Sequence, residues 1–402
     1  MITKRMHSNW MMPLSVASVL FGWHAGGGFA TGNQANQFYV TTGWFGPFSA
    51  VLAILLLTLA VRQAMIMYRQ RDLSSYKQLF QALYHPFGWL EAVFEAYFYI
   101  MILMATSASI AGAGMLFVDI MDIPYLGAVV IISVLLLSMT MFGANLVRRV
   151  SAIMSALILA CALSIFIVGI VQKGNAVGAI FTAGPDIRLL PKAILHSFQY
   201  AGFQCAAIPT MIACDAMLST ERSARRSMWI SFGMNSIALC LSVVMLLGWQ
   251  SVYAAVDGGS VIPTLTVCKQ LGVPALAWAY YICLFLCFIS TGVASVFGLV
   301  GRFANAKALR KIRSAPVRNA IVAALVMTLS MVVSFAGLTN IVRYGYGYCG
   351  YIGITIVVVP FLTVGVYKNR RYRAKHPEIE ETFPAKQNAD EGTVTDSVRL
   401  AQ

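Results

Sequence analysis

The sequence predicts an all-α polytopic membrane protein, and three observations support that fold class. Of the 402 residues, 59% are hydrophobic and only 11% are charged, too few polar side chains for a water-soluble surface. Several apolar stretches reach the roughly 20 residues with which a helix crosses the ~30 Å hydrocarbon core of a bilayer. Two of these stretches contain helix-breaking residues at membrane depth, in corresponding positions of the two halves of the chain.

The apolar stretches predict ten spans, and the placement of Lys and Arg predicts their orientation. The predicted spans are residues 14–40, 44–67, 90–118, 124–142, 149–172, 192–217, 228–250, 274–300, 319–336 and 339–366. With the amino terminus in the cytoplasm, the basic clusters all fall on the cytoplasmic side. Opposite them lie only Lys173, Arg188, Lys192 and Lys269, with Arg343 near that face. We therefore expect a multi-pass protein of the bacterial cytoplasmic (inner) membrane with both termini in the cytoplasm.

The spans divide the chain into two five-helix repeats. We expect a cytoplasmic amino-terminal segment (1–13), a first repeat (14–172), an extracytoplasmic connector (173–191), a second repeat (192–366) and a disordered cytoplasmic tail (367–402). Because five is an odd number, the second repeat must be inverted relative to the first. Long connectors after the second and seventh spans, residues 70–88 and 251–272, extend the parallel.

Charge and motifs exclude several function classes. The net charge of +14 follows from topology and attraction to the membrane surface, so the expected partners are the lipid bilayer and a small-molecule substrate, not nucleic acid. The motifs HExxH, GxSxG and GxxxxGK[ST] do not occur, and we expect no enzyme. Seven of the eight cysteines lie in predicted spans without a CxxC pair, so we expect packing residues and no disulfide or metal framework. The sequence does not indicate an oligomeric state.

Two interrupted helices are the most informative features. The first span contains Gly22-Trp-His-Ala-Gly-Gly-Gly-Phe-Ala-Thr-Gly-Asn-Gln34, and the sixth contains Gly202 and Pro209 among polar Gln199 and Gln204. In hydrocarbon, unwound backbone is tolerated only where it lines a cavity or is buried in protein. Paired breaks of this kind indicate the binding site of a transporter.

These residues resemble a known family. The run Gly26-Gly-Gly-Phe-Ala-Thr-Gly32 with Asn33-Gln34, the Tyr200–Gln204 break and the Tyr-rich last span resemble the YkvI-type bacterial membrane proteins, over nearly all of residues 10–366. That group is a branch of the amino acid–polyamine–organocation superfamily. The resemblance implies a LeuT-like 5+5 inverted repeat with broken first and sixth helices. Gln34 and Gln204 stand where the family pattern has Glu and Asn, so a role carried by that carboxylate is not transferred.

The breaks predict a substrate site. Half-helix ends supply free N–H groups and positive dipole ends for an anionic group, and glycines allow close approach to the backbone. The predicted substrate-binding residues are Trp23, Ala25, Gly26, Gly27, Gly28, Phe29, Tyr200, Ala201, Gly202, Phe203 and Gln204. The aromatic members suggest a cage for an ammonium group. The alternative for the glycines is tight helix packing, and for the aromatic side chains it is ordinary core packing.

Coupling to an ion has two candidate sites. Ser290-Thr291 on the eighth span resembles the hydroxyl pair that completes a sodium site in LeuT-fold transporters, with carbonyls near Ala25; the alternative is hydroxyl bonding to the preceding helical turn. His24 is a candidate proton carrier, and the alternative interpretation is a buried histidine that stays neutral. Glu91 and Glu95 have two possible roles, proton transfer or a position at the membrane interface. Arg343 also has two, a gate at the outer vestibule or an anchor at the end of its helix. No cofactor is expected beyond a sodium ion.

The expected function is secondary active transport of a small organic solute, an amino acid, amine or related zwitterion, by alternating access and coupled to an ion. One alternative is a membrane sensor or accessory subunit that binds ligand without transporting it. The other alternative is a channel, for which a continuous polar stripe through several spans would be expected. Here the polar residues cluster at the two breaks.

Overall fold

A computed structural model of the chain describes residues 2–214, 218, 220–256, 259–304, 309, 312 and 314–376, in which all regular structure is helical. The α-helices are α1 (Ile2–His24), α2 (Gly27–Ala30), α3 (Asn33–Phe38), α4 (Gly46–Gln70), α5 (Tyr76–Tyr84), α6 (Glu91–Met121), α7 (Tyr125–Ser138), α8 (Ala144–Gln172), α9 (Gly174–Thr182), α10 (Leu190–Gln204), α11 (Ile208–Cys214), α12 (Glu221–Gly248), α13 (Gln250–Ala254), α14 (Pro263–Gln270), α15 (Pro274–Phe303), α16 (Ala315–Ser334) and α17 (Leu338–Lys375). The predicted all-α fold class is confirmed.

Length and hydropathy identify membrane-spanning candidates among the described residues. Six helices qualify: Val40–Gln70, Gly88–Met121, Glu221–Gly248, Pro274–Val300, Ala315–Ser334 and Leu338–Lys375. Leu157–Gln172 with Gly174–Thr182 forms a further candidate, bent by 72°. The other predicted spans correspond to the shorter helix α7 and to the two interrupted segments, α1 to α3 and α10 to α11.

The fourth and fifth spans follow each other without a loop. A π-helical segment, Met139–Gly143, joins α7 directly to α8, so the predicted connection at 143–148 has a helical backbone. The two helices nevertheless run in opposite directions along α15. Along α7, Val129 lies beside Gly114 of α6, and Leu136 lies where Ser109 of α6 meets Gly292 of α15, so α7 is antiparallel to α6. Along α8, Cys161 contacts Cys283 and Gln172 bonds the carbonyl of Leu271, so α8 is antiparallel to α15, which is itself antiparallel to α6.

Equivalent helices of the two repeats pack against each other in antiparallel pairs. In the α4–α12 pair, Cys240 bonds the Pro47 carbonyl near one end, and Gln70 bonds Glu221 at the other. In the α6–α15 pair, Arg302 contacts Glu95 at one end, and Tyr281 bonds Asp119 toward the other. This arrangement is that of an inverted repeat.

Several boundaries differ from the domain limits expected from the sequence. Helix α1 begins at Ile2, so residues 2–13 are part of the first helix. Helix α17 continues to Lys375, while residues 377–402 of the predicted tail lie outside the described residues. The connector 173–191 contains α9, and the long connectors contain α5 and α13 to α14. Helix α5 lies near Glu95 and α14 near Asp119, at opposite ends of α6.

Candidate functional site

The first break consists of two turns that separate short helical pieces. Helix α1 ends at His24, and Gly26 has φ −59° and ψ 178°, which is extended backbone. The second turn is at Gly32, whose φ of +77° is left-handed. A Cβ atom on Gly32 would also lie 3.2 Å from the backbone nitrogen of Thr264. Glycine is therefore required at this position by both conformation and space.

Backbone carbonyl oxygens of the broken segment accept hydrogen bonds from side chains and from the backbone of another helix. Tyr280 on α15 donates its hydroxyl proton to the Ala30 carbonyl, and the Thr264 N–H on α14 donates to the Thr31 carbonyl at 3.1 Å. The Thr31 hydroxyl donates to the Gly28 carbonyl at 2.9 Å. The break is thus buried in protein, the condition under which non-helical backbone is stable at membrane depth.

The sixth span is interrupted by one 3₁₀ turn, Cys205–Ala207, between α10 and α11. The Tyr97 hydroxyl on α6 donates to the carbonyl oxygens of Gly202, at 2.6 Å, and Phe203, at 3.1 Å. In an uninterrupted helix these two carbonyls would accept from the N–H groups of Ala206 and Ala207, so the Tyr97 hydroxyl supplies a donor where the turn interrupts the helix.

A buried polar network connects the two interrupted spans. The Tyr200 hydroxyl donates to Oε1 of Gln34 at 3.0 Å and lies 2.8 Å from Nε2 of His24. Because its one proton is donated to Gln34, Tyr200 accepts from a protonated Nε2. Nδ1 of His24 is buried and lies beside the buried side chain of Asn235 on α12. His24 is thus a buried histidine that links α1 to α10 and, through Gln34, to α3.

Aromatic side chains fill the space between the breaks. Phe38 packs against Tyr200 and Phe203, with ring centroids 5.8 and 5.4 Å apart, and Phe203 packs against Tyr346 at 5.2 Å. Phe29 lies 5.0 Å from the His24 ring, and each of these five aromatic residues is at most 6% exposed. The predicted substrate region is closed in this arrangement, so a solute of amino-acid size would require these rings to move.

The glycines of both breaks lie against other helices. A Cβ atom on Gly27 would approach the Phe288 ring of α15 to 2.5 Å, and one on Gly202 would lie 3.0 Å from the nitrogen of Ile354 on α17. A Cβ atom on Gly28 would collide with the Gln34 side chain. Close packing, the alternative to a substrate contact, is therefore present at all three glycines. Their contact with a substrate stays a prediction.

The remaining predicted substrate residues surround the same region. Ala201 is fully buried, and Gln204, 5% exposed, interacts with the Tyr200 side chain. Trp23 and Gly26 are half-buried, and Ala25 is buried. These residues are close to the network and the aromatic cluster, and their role in binding stays a prediction.

The hydroxyl pair of α15 faces the first break across a small cavity. The cavity measures about 40 Å³, which is room for an ion or very few waters. It is lined by Gly22, Ala25, Gly26, Ile158, Cys287, Ser290 and Thr291. The Cys287 thiol lies 3.8 Å from the Ala25 carbonyl oxygen, and a Cβ atom on Gly26 would lie 3.6 Å from the Thr291 hydroxyl. The predicted ion-coupling residues Ala25, Ser290 and Thr291 therefore come together, and His24 is adjacent in sequence.

Three further residues of this site were not predicted from the sequence. Cys287 lies one helical turn before Ser290 and Thr291 on α15. Residues at this spacing share one face of a helix, so the spacing is a sequence signal that could have identified Cys287. Ile158 on α8 and Phe288, which fills the space beside Gly27, have no sequence signal, because their positions depend on packing between distant helices.

The charged residues with open roles are paired or exposed. Glu95 contacts Lys77 and Arg302, and Glu91 lies 3.7 Å from Lys77, in a cluster at one end of α6. Arg343 is exposed and lies 5.4 Å from the centroid of the Tyr344 ring.

The donor atoms at the cavity suit a hard cation. Hydroxyl and carbonyl oxygens are ligands for ions such as sodium, whereas transition metals favour imidazole and thiolate. Among the described residues, no group of three or more His, Cys, Asp or Glu side chains is arranged to hold a metal ion.

Comparisons with known proteins agree with this geometry. The solved structure of MhsT in complex with L-phenylalanine superimposes with a TM-score of 0.62, at 16% identity, covering 97% of this chain and 98% of that one. A Na⁺-coupled sialic acid symporter in a substrate-bound outward-open state gives a TM-score of 0.56 at 13% identity, covering 93% and 91%. The protein has the LeuT fold. The predicted 5+5 inverted repeat with interrupted first and sixth helices is confirmed.

The sequence comparison supports the resemblance to the YkvI-type proteins over part of the chain. An uncharacterised membrane protein, YkvI of Bacillus subtilis (strain 168), is 28% identical over 136 residues. The match covers 32% of this chain and 39% of YkvI, about two fifths of that relative's length. No protein-family model matches the chain. The predicted relation to the YkvI-type proteins is confirmed as a weak homology.

Proposed function

We propose that this LeuT-fold protein is a secondary active transporter of a small organic solute, driven by sodium and working by alternating access. The observation that carries the proposal is the cavity between the first break and the Ser290-Thr291 pair. It brings Gly22, Ala25 and Gly26 of the interrupted first span together with the hydroxyl residues Ser290 and Thr291 of the other repeat. A cation held there would connect α1 to α15 and stabilise one arrangement of the break.

The proposed substrate is an amino acid, amine or related zwitterion. The aromatic cluster offers ring faces for an ammonium group, and the half-helix ends offer N–H groups for a carboxylate. MhsT, which has the same fold, was solved with L-phenylalanine, and the sialic acid symporter is Na⁺-coupled. Both are consistent with a carboxylate-bearing substrate.

Sodium binding tests the proposal without knowledge of the solute. The thermal unfolding of purified protein is measured in sodium chloride and in choline chloride of equal ionic strength. An ion that binds only the folded protein stabilises it by about 1.4 kcal/mol at ten times its Kd. We expect this sodium-specific stabilisation to be lost in the double variant Ser290→Ala, Thr291→Val. The matched control is Ser295→Ala, a hydroxyl one turn further along α15, which should retain it.

The competing hypothesis is a proton on His24, and the same experiment separates the two. That hypothesis predicts equal stability in sodium and choline, with a pH dependence that disappears in His24→Gln. Equal stability in both salts would refute sodium coupling. Uptake of amino acids into proteoliposomes under an imposed sodium gradient then tests transport itself, since a sensor or accessory subunit would bind solute without accumulating it.

A further inference from the structure

Two cysteines on neighbouring helices are in contact within the membrane-spanning part. Sγ of Cys161 on α8 lies 3.8 Å from Sγ of Cys283 on α15, and both thiols are free. A disulfide has an S–S length of about 2.05 Å, so an approach of about 1.8 Å would allow the bond. We propose that Cys161 and Cys283 form a reversible disulfide, with a quinone dissolved in the bilayer as the oxidant.

The position of the pair favours a lipid-soluble oxidant. Both cysteines are half-buried, and their neighbours Leu157 and Ile282 are 53% and 58% exposed. Leu157 lies one turn before Cys161 on the same face of α8, so this side of the pair is directed to the hydrocarbon. An uncharged quinone enters that region, whereas a charged oxidant is excluded from it.

The reaction balances with one quinone for two thiols. One sulfur adds to a ring carbon of the quinone while its proton passes to a ring oxygen. The second sulfur then attacks the first, the S–C bond breaks, and its electron pair returns to the ring. The second thiol proton passes to the other ring oxygen, giving one disulfide and one quinol. The thiols lose two electrons and two protons, and no other co-reactant takes part.

The disulfide would be adjacent to the cavity at the first break. Ile158, three residues before Cys161, and Cys287, four residues after Cys283, both line that cavity. A bond one turn away on each helix would fix the separation of the two cavity walls contributed by α8 and α15. This consequence rests on the proposed sodium site, whereas the disulfide itself does not.

Thiol mapping tests the disulfide. Reduced protein in lipid nanodiscs is treated anaerobically with decylubiquinone, free thiols are blocked with N-ethylmaleimide, and linked peptides are identified by mass spectrometry. We expect a Cys161–Cys283 link, one quinol per link, and reversal by dithiothreitol. The link should be absent in Cys161→Ser and in Cys283→Ser, and present in Cys240→Ser, a half-buried cysteine of α12. Free thiols after treatment, or a link from Cys161 to the nearby Cys268, would overturn the proposal.

Sodium exchange tests the consequence. We expect the exchange of radioactive sodium across proteoliposomes to fall at least fivefold after oxidation and to recover with dithiothreitol, while Cys161→Ser is unaffected by the quinone. Equal exchange by the oxidised and reduced protein would refute the effect on the cavity. Absence of sodium exchange in both forms would count against the proposed function alone, because the mass spectrometry decides the disulfide independently.

Discussion

Replacing Tyr97 by Phe tests how the interruption of the sixth span is stabilised. The Tyr97 hydroxyl donates to the carbonyl oxygens of Gly202, at 2.6 Å, and Phe203, at 3.1 Å, where the 3₁₀ turn interrupts the helix. The substitution Tyr97→Phe removes the hydroxyl and retains the ring. Tyr97 is 1% exposed, so no water from outside replaces the lost bonds in this arrangement.

The magnitude follows from the two backbone groups left without partners. An unsatisfied buried donor or acceptor costs about 1–3 kcal/mol, so two such groups set an upper range of about 2–6 kcal/mol. Relaxation of the 3₁₀ turn toward a direct bond from Ala206 to Gly202 would recover part of that cost. We therefore expect the free energy of unfolding to fall by about 2 kcal/mol, with a decrease in Tm of about 4 °C.

Thermal unfolding of the purified variant in detergent, followed by intrinsic fluorescence, measures this change. The matched control is Tyr348→Phe, because Tyr348 is 64% exposed and its hydroxyl bonds no described residue. The control should unfold within about 1 °C of the unchanged protein, since surface substitutions cost little. A Tyr97→Phe variant as stable as this control would show that the hydroxyl does not maintain the interruption.

Further predictions concern packing and topology. Gly27→Ala should lower Tm because the added Cβ approaches the Phe288 ring to 2.5 Å. Phe288→Leu in the same chain should restore part of that loss. If the changes in Tm caused by the two substitutions are purely additive, the contact is contradicted. Gly202→Ala should be more severe, because its Cβ would meet the backbone of Gly350, and size-exclusion chromatography should show little folded protein. Alkaline phosphatase fused after Gln402 should be inactive, and an active fusion would refute the cytoplasmic carboxyl terminus.

Hydropathy predicted where the apolar helical segments lie along the chain, but not how they are joined; the count of ten membrane spans stays a prediction. The predicted connection 143–148 ends at Arg148, beside Arg149, and this basic pair indicated a cytoplasmic loop, yet the backbone there is helical. Basic residues report which side of the membrane a segment reaches, and they do not prevent a helix from continuing. The sequence also did not predict the bend after Gln172. The fifth span is predicted to end at that residue, so the apolar helix α9 that follows falls in the predicted connector 173–191.

The candidate ion site was predictable where unusual residue types mark it. Glycines in a membrane helix and adjacent hydroxyls in α15 are conspicuous in sequence, and the structure brings Ala25, Ser290 and Thr291 to one cavity. Ile158 is an ordinary residue of a membrane helix, so only its position at the cavity identifies it. Asn235 is a polar residue in the predicted span 228–250, but only the packing of α12 against α1 shows that it lies beside His24. For Gly27, sequence alone cannot separate a packing contact from a ligand contact, since both require the missing side chain.

The hydrogen bonds at the breaks imply a condition for any movement of the interrupted spans. Tyr280 of α15 donates to the first span at Ala30, and Tyr97 of α6 donates to the sixth at Gly202. Helices α6 and α15 pack against each other, so displacement of the interrupted spans relative to this pair separates both bonds. Carbonyls exposed to hydrocarbon would each cost several kcal/mol, and therefore water must enter as the bonds open. The two hydroxyls thus favour the closed arrangement by about 1 kcal/mol each, and a ligand or ion that opens the site must offset this contribution by binding the open arrangement more tightly.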